Sequence, residues 1–186
     1  TLSFEAKVDE LNRFPMATEY AVEIPAGTTS ATGGVLEEAV TFRFSTPAAT
    51  VESSYPNGGS HARDVMMLVR FNQQVDPLAV IETIQVLAGG NFVLVRLASE
   101  DEINVDPVIA NMVKNSQPRR TVVFKAEELF PADTTITVNV GPGTPSAEGP
   151  VVTSEVQSFA FQTYAPLRIT DQYCGYGDYC PPGSSF

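Results

Sequence analysis

The sequence contains no tryptophan, one histidine, two cysteines, and only 11 basic side chains against 22 acidic ones. Each shortage excludes something. Without an indole to stack on a sugar ring, a carbohydrate-binding module is disfavoured. A formal net charge of -11 repels phosphate backbones and anionic headgroups alike, so nucleic acid is not expected as a partner. No apolar run approaches the roughly eighteen residues that a membrane-spanning helix needs, so direct membrane insertion is not expected either. No basic-then-apolar leader opens the chain at Thr1, and any export signal or anchor is expected upstream of this segment.

What is present is apolar content with the period of strands. With 43% hydrophobic side chains, including 11 Phe and 6 Tyr, the chain can bury one or two modest cores. It also repeats itself. "FPMATEYAVEIPAGTTSATGGVLEEAV" at 14–40 returns as "FPADTTITVNVGPGTPSAEGPVVTSEV" at 130–156, with 11 identities in 27 ungapped positions. Chance gives roughly two at average residue usage. One inserted residue then brings Phe42, Phe44 and Thr46 onto Phe159, Phe161 and Thr163, and "VESSYPNGG" at 51–59 aligns with "ITDQYCGYG" at 169–177. The spacing, about 116 to 118 residues, exceeds the roughly 20–50 of a solenoid repeat and suits a complete domain. The expected organisation is therefore the second half of one unit at 1–48, a whole unit at 49–165, and the first strand of a third at 166–186.

Within 49–165, seven segments rich in Val, Ile, Phe and Thr are bounded by Gly, Pro and Asn: 50–56, 64–73, 83–88, 91–98, 120–126, 134–141 and 158–165. The alternation is clearest in "TITVNV", which predicts Ile136, Val138 and Val140 facing inward and Thr135, Thr137 and Asn139 facing water. Seven short strands in this length predict an all-β fold, a tandem immunoglobulin-like β-sandwich. Two short helices are expected to interrupt it, each with an Asp N-cap and a Pro in its first turn: Asp76–Pro77 and Asp106–Pro107. In the second, Val108, Met112 and Val113 share a stripe suited to lying across one end of the sandwich.

"VESSYPNGGSHARDVMMLVRFNQQVDPLAV" resembles the opening of bacterial Ig-like domains, and "ATEYAVEIPAGTTSATGGVLEEAVTFRFST" resembles their close. The helical segment at 99–117 and the cysteine loop "CGYGDYCPPGSSF" are similar, more particularly, to N-terminal domains of bacterial alpha-2-macroglobulin-like proteins. That resemblance implies a large exported protease trap, periplasmic or extracellular, in which a bait segment is cut and a Cys-Gly-Glu-Gln thioester captures the attacker. Cys174-Gly175 begins like that motif, but Tyr176 and Gly177 stand where Glu and Gln are required. The resemblance thus implies structural modules of an inhibitor. Their partners are neighbouring domains of the same protein, with target proteases met through parts outside this segment. Stalk repeats of a bacterial surface adhesin or S-layer-like protein are the alternative.

Cys174 and Cys180 are separated by a loop with Gly175 and Gly177 inside it and Pro181 beside it, flexible enough to bring the two Cβ atoms together. A disulfide is expected; in the chain-entropy model a loop this small gains about 2 kcal/mol from closure. Free thiols are the alternative, and a metal needs more ligands than two thiols supply. An oxidised pair places the protein in an oxidising compartment, in line with export.

The remaining candidates carry structural readings beside their chemical ones. His61, flanked by Ser60 and Asp64, invites a triad, yet triads assemble from distant positions. Glu100, Asp101, Glu102 and Asp106 offer carboxylates for calcium but lack the spacing and glycine of a known loop, which favours a solvated face leading into a helix. Arg119-Arg120 reads either as a trypsin-sensitive pair or as the polar start of a strand. Glu127-Glu128 are adjacent and, on a strand, point to opposite faces. "GPGTPSAEGP" at 141–150 has no phosphate-binding lysine and joins two strands. No catalytic residue, cofactor site or metal site is assigned, and the chain is not expected to be an enzyme.

Overall fold

The computed structural model describes residues 13–169. Cys174 and Cys180, and with them the expected disulfide, lie outside the described residues. Two strands, β1 (Glu19–Ile24) and β2 (Val40–Ser45), form an antiparallel hairpin of their own. The other strands are β3 (Val51–Tyr55), β4 (Ser60–His61), β5 (Met67–Phe71), β6 (Ile84–Ala88), β7 (Asn91–Val93), β8 (Val95–Leu97), β9 (Thr121–Ala126), β10 (Thr135–Val140) and β11 (Gln157–Thr163). They make two sheets, ordered β4-β11-β10-β6-β7 and β3-β5-β9-β8. Three short helices are inserted: α1 (Pro77–Ile81), α2 (Glu100–Val105) and α3 (Pro107–Lys114).

One core fills the space between the sheets. Met67, Val69 and Phe71 of β5 and Val122, Phe124 and Ala126 of β9 meet Val86 of β6, Ile136, Val138 and Val140 of β10, and Phe159 and Phe161 of β11. The alternation in β10 falls as the sequence pattern dictates, with Ile136, Val138 and Val140 buried. β5 breaks the alternation, because Leu68 is buried as well as its neighbours. Its second face is covered by helix: Met66, Leu68 and Val123 pack with Ile109, Met112 and Val113 of α3. This corrects the expectation for α3. It lies on the outer face of the four-stranded sheet instead of across an end, and the residue it buries is Ile109, while Val108 is exposed.

The helix starts follow from their caps. Asp76 Oδ1 accepts the Leu78 N–H at 3.1 Å, and Asp106 Oδ1 accepts those of Val108 and Ile109 at 2.9 and 3.1 Å. α2 carries a capping box, with Ser99 and Glu102 bonding each other's backbone N–H. Residues 91–98, expected as one strand, form two. β7 pairs with β6 and β8 with β9, so the chain changes sheets at Leu94. Val93, Val95 and Leu97 pack on the core throughout the change. The alternation therefore continues unbroken while the hydrogen-bonding partners switch.

The β1–β2 hairpin coincides with β10–β11 in bonding detail. Glu19 faces Ser45 as Thr135 faces Gln162. Thr46 Oγ1 accepts the Thr18 N–H at 3.0 Å and donates to Pro15 O at 2.8 Å; Thr163 Oγ1 does the same with Thr134 N–H at 2.9 Å and Pro131 O at 2.7 Å. Ala17 (φ 54°) and Asp133 (φ 53°) share a left-handed backbone that non-glycine residues rarely adopt. What differs is coverage. Phe159 and Phe161 are buried, whereas their counterparts Phe42 and Phe44 are exposed, Phe44 in an aromatic cluster with Phe14 and Tyr20 at ring distances of 5.0–5.6 Å.

Candidate functional site

A carboxylate with four hydrogen-bond donors joins the hairpin to the sandwich. Glu148 sits in the loop between β10 and β11, its side chain only 2% exposed. Arg13 grips it with two nitrogens, at 2.7 and 2.9 Å. The N–H groups of Met16 and Gln74 donate to the same carboxylate at 3.0 and 2.8 Å. Burial alone raises its pKa, but the Arg13 bonds and charge and the two backbone donors outweigh burial, and the net shift is downward. Hydrogen-bonded on both oxygens, the carboxylate can stay ionised while almost wholly out of water.

The contact continues along the segment Met16–Thr18. The Val151 N–H donates to Ala17 O at 2.9 Å, and Ala17 is fully buried. A Cβ at Gly149 would collide with Thr18 Oγ1 and with the carbonyls of Ala17 and Met16, so glycine is what lets the two backbones meet there. The joint is thus built from one charged clamp, one backbone bond and one close approach. It can fix an angle between two bodies; it holds no nucleophile beside a base.

A second concave region lies where α2 and α3 meet the strand ends, an open groove of about 760 Å³ lined by Tyr55, His61, Asp64, Asp106, Lys125 and Tyr164, among others. His61 stacks edge-on between Tyr55 and Phe161 at 5.7 and 5.8 Å, with Nε2 3.0 Å from Gly58 O. Neither Ser60 nor Asp64 bonds it, and the flanking pair does not assemble as a triad. Burial, then the nearby Asp106 and Tyr164, pushes the Tyr55 phenol up.

The four carboxylates considered for calcium are separated by task. Glu102 takes two bonds from Arg96, at 2.8 and 2.7 Å, and one from Lys125 at 3.2 Å. Those bonds, together with the Ser99 N–H, hold it well below the usual carboxylate range. Asp106 caps α3, and Glu100 and Asp101 occupy the first turn of α2. Among the described residues no group of three or more His, Cys, Asp or Glu is placed to hold a metal. Arg119 and Arg120 precede β9, and their carbonyls accept the N–H groups of Val75 and Phe71 at 2.8 Å each. Glu127 and Glu128 lie beyond the end of β9, both exposed, and not on a strand as the sequence suggested.

Sequence reasoning did not single out Arg13 or Glu148. One signal was available: inside the matching "GTTSATG" and "GTPSAEG", Glu148 replaces Thr32, a charge where the repeat has none.

No family model matches the chain. Among curated proteins it is similar to "Circularly permutated Ras protein 2" of Dictyostelium discoideum, 20% identical over an alignment of 175 residues, which covers 89% of this chain and 4% of that protein. Among solved structures it is similar to the LD transpeptidase LdtMt1 in complex with imipenem, at TM-score 0.40 and 18% identity over 63% of this chain and 41% of that one. It is also similar to the N-terminal part of the bacterial S-layer protein SbsC, at TM-score 0.40 and 14% identity over 64% of this chain and 24% of that one. The chain spans about 4% of the curated protein and under half of either structure. At these values none assigns a family or an activity.

Proposed function

We propose that this chain is a load-transmitting spacer: immunoglobulin-like units in tandem, held at a fixed angle, within a large exported protein resembling the bacterial alpha-2-macroglobulin-like protease traps. The observation that carries the spacer reading is the Glu148 joint, where a nearly buried carboxylate is gripped from both bodies. A flexible linker needs no such contact. The immunoglobulin-like reading is supported by strand order: β3-β5-β9-β8 corresponds to A-B-E-D, and β11-β10-β6 to G-F-C. The tandem reading is supported by the bond-for-bond likeness of the hairpins ending at Thr46 and Thr163. The protease-trap context rests on the sequence resemblance.

The test is made on the complete polypeptide, incubated with a broad-specificity protease. A trap leaves the captured protease active on a small peptide substrate while shielding a protein substrate from it. If both substrates are cut at the free enzyme's rate, the trap reading is overturned in favour of an adhesin or surface-layer stalk. The spacer reading has its own measurement. Small-angle scattering of the 186-residue chain should fit one rigid shape, and an ensemble of hairpin orientations would refute it.

A further inference from the structure

Two segments of this chain make the same internal hydrogen bonds, and only one is covered by the described residues. In Phe14–Thr18, Met16 N–H bonds Glu148, Ala17 O accepts from Val151, and Ala17 is buried. In the matching Phe130–Thr134 the internal bonds are the same, including Asp133 N–H to Tyr164 O at 3.1 Å against Ala17 N–H to Pro47 O at 2.9 Å. Yet Asp133 is exposed, and neither the Ala132 N–H nor the Asp133 carbonyl has a hydrogen-bond partner among the described residues. Beside them lies a groove of about 400 Å³ with an apolar wall of Phe92, Leu94, Leu129 and Pro131 and the carboxylates Glu127 and Glu128 at its margin; Leu129 is 60% exposed.

The chain leaving this end points to the occupant. Leu167 is 100% exposed and Ile169 87%. In the aligned positions one unit earlier, Ala49 is 2% exposed and Val51 packs on the sandwich core. Two large apolar side chains in full solvent, at positions that elsewhere feed a core, fit a chain entering another sandwich.

Building on the tandem reading above, we infer that the Leu129–Asp133 segment with Phe92 and Leu94 is the seat of the next unit of the same polypeptide, whose loop equivalent to 144–151 closes over it as that loop closes over Met16–Thr18. The incoming loop supplies an acceptor to the Ala132 N–H and a donor to the Asp133 carbonyl. Its chemistry differs from the first joint in one respect. Leu129 stands where Arg13 stands, so the side chain that meets it is apolar, in place of a second Glu148. The two joints are thus keyed differently, one by charge and one by apolar contact.

Hydrogen exchange tests this on the 186-residue chain and on a longer stretch of the same polypeptide carrying the residues beyond 186 through one further unit. In the longer protein, amides of 129–133 should exchange about tenfold more slowly, and Leu129→Glu should abolish that protection while leaving the melting of the 49–165 sandwich unchanged. Equal exchange in the two proteins, or protection that survives Leu129→Glu, overturns the inference. If the added stretch shows no strand content by circular dichroism, the tandem reading fails and this inference with it. If it folds as a sandwich while 129–133 stays open, only this inference fails.

Discussion

Replacing Arg13 with alanine deletes the one side-chain cation that, among the described residues, bonds a carboxylate only 2% exposed, leaving Glu148 with two backbone donors. For a fully buried pair, removing one partner costs about 3–5 kcal/mol, because the other charge stays desolvated. Arg13 is itself 31% exposed, and water entering its place solvates part of the orphaned carboxylate, which brings the expected loss to about 1–2 kcal/mol. The cost falls on the joint and not on the sandwich core, which Arg13 does not touch. Urea unfolding followed by far-ultraviolet circular dichroism should show the loss, and a double-mutant cycle with Glu148→Gln should recover a coupling of similar size. The pH dependence has a definite sign. Because the folded pKa of Glu148 lies below its unfolded value of about 4.3, its contribution is fully present above that pH and disappears as pH falls through the folded value. The wild type should therefore lose more stability than Glu148→Gln between neutral pH and pH 3. Coupling near zero, or identical acid sensitivity of the two proteins, would refute the clamp.

Three further outcomes are expected. Gly149→Ala should separate hairpin from sandwich, seen as faster exchange of the Met16 and Val151 amides, which bond across the joint, with little change at Ile136, because the new Cβ meets backbone carbonyls that cannot move aside cheaply. Ile136→Ala, at a fully buried site between the sheets, should cost about 2–5 kcal/mol in denaturant unfolding; a loss under half a kcal/mol would deny the shared core. For Cys174 and Cys180, intact mass after alkylation without reductant should show no added groups, and two added groups would establish free thiols and remove the argument for an oxidising compartment.

The β-period segments, the two Asp-Pro helix starts and the internal likeness of 14–46 to 130–163 were all legible in the chain, because each depends on neighbours a few residues apart. A strand's alternation is set by its own pleat, and an N-cap by the three residues after it. The joint was not legible in that way. Arg13 and Glu148 are 135 positions apart, and nothing in the repeated segment that contains Glu148 names Arg13 as its partner; only folding brings them within 2.7 Å. The sheet change at Leu94 was hidden for a related reason: inward and outward sides continue unbroken through it, so the pattern specifies which face meets the core but not which strand receives the hydrogen bonds. The segment around Leu68 was legible as a strand, but the cover of its second face, Ile109 on a helix some forty residues later, was decided by packing alone. Local chemistry determined the elements of this protein, and tertiary contact decided which of its charges would be buried and how two segments with matching hydrogen bonds would differ in what covers them.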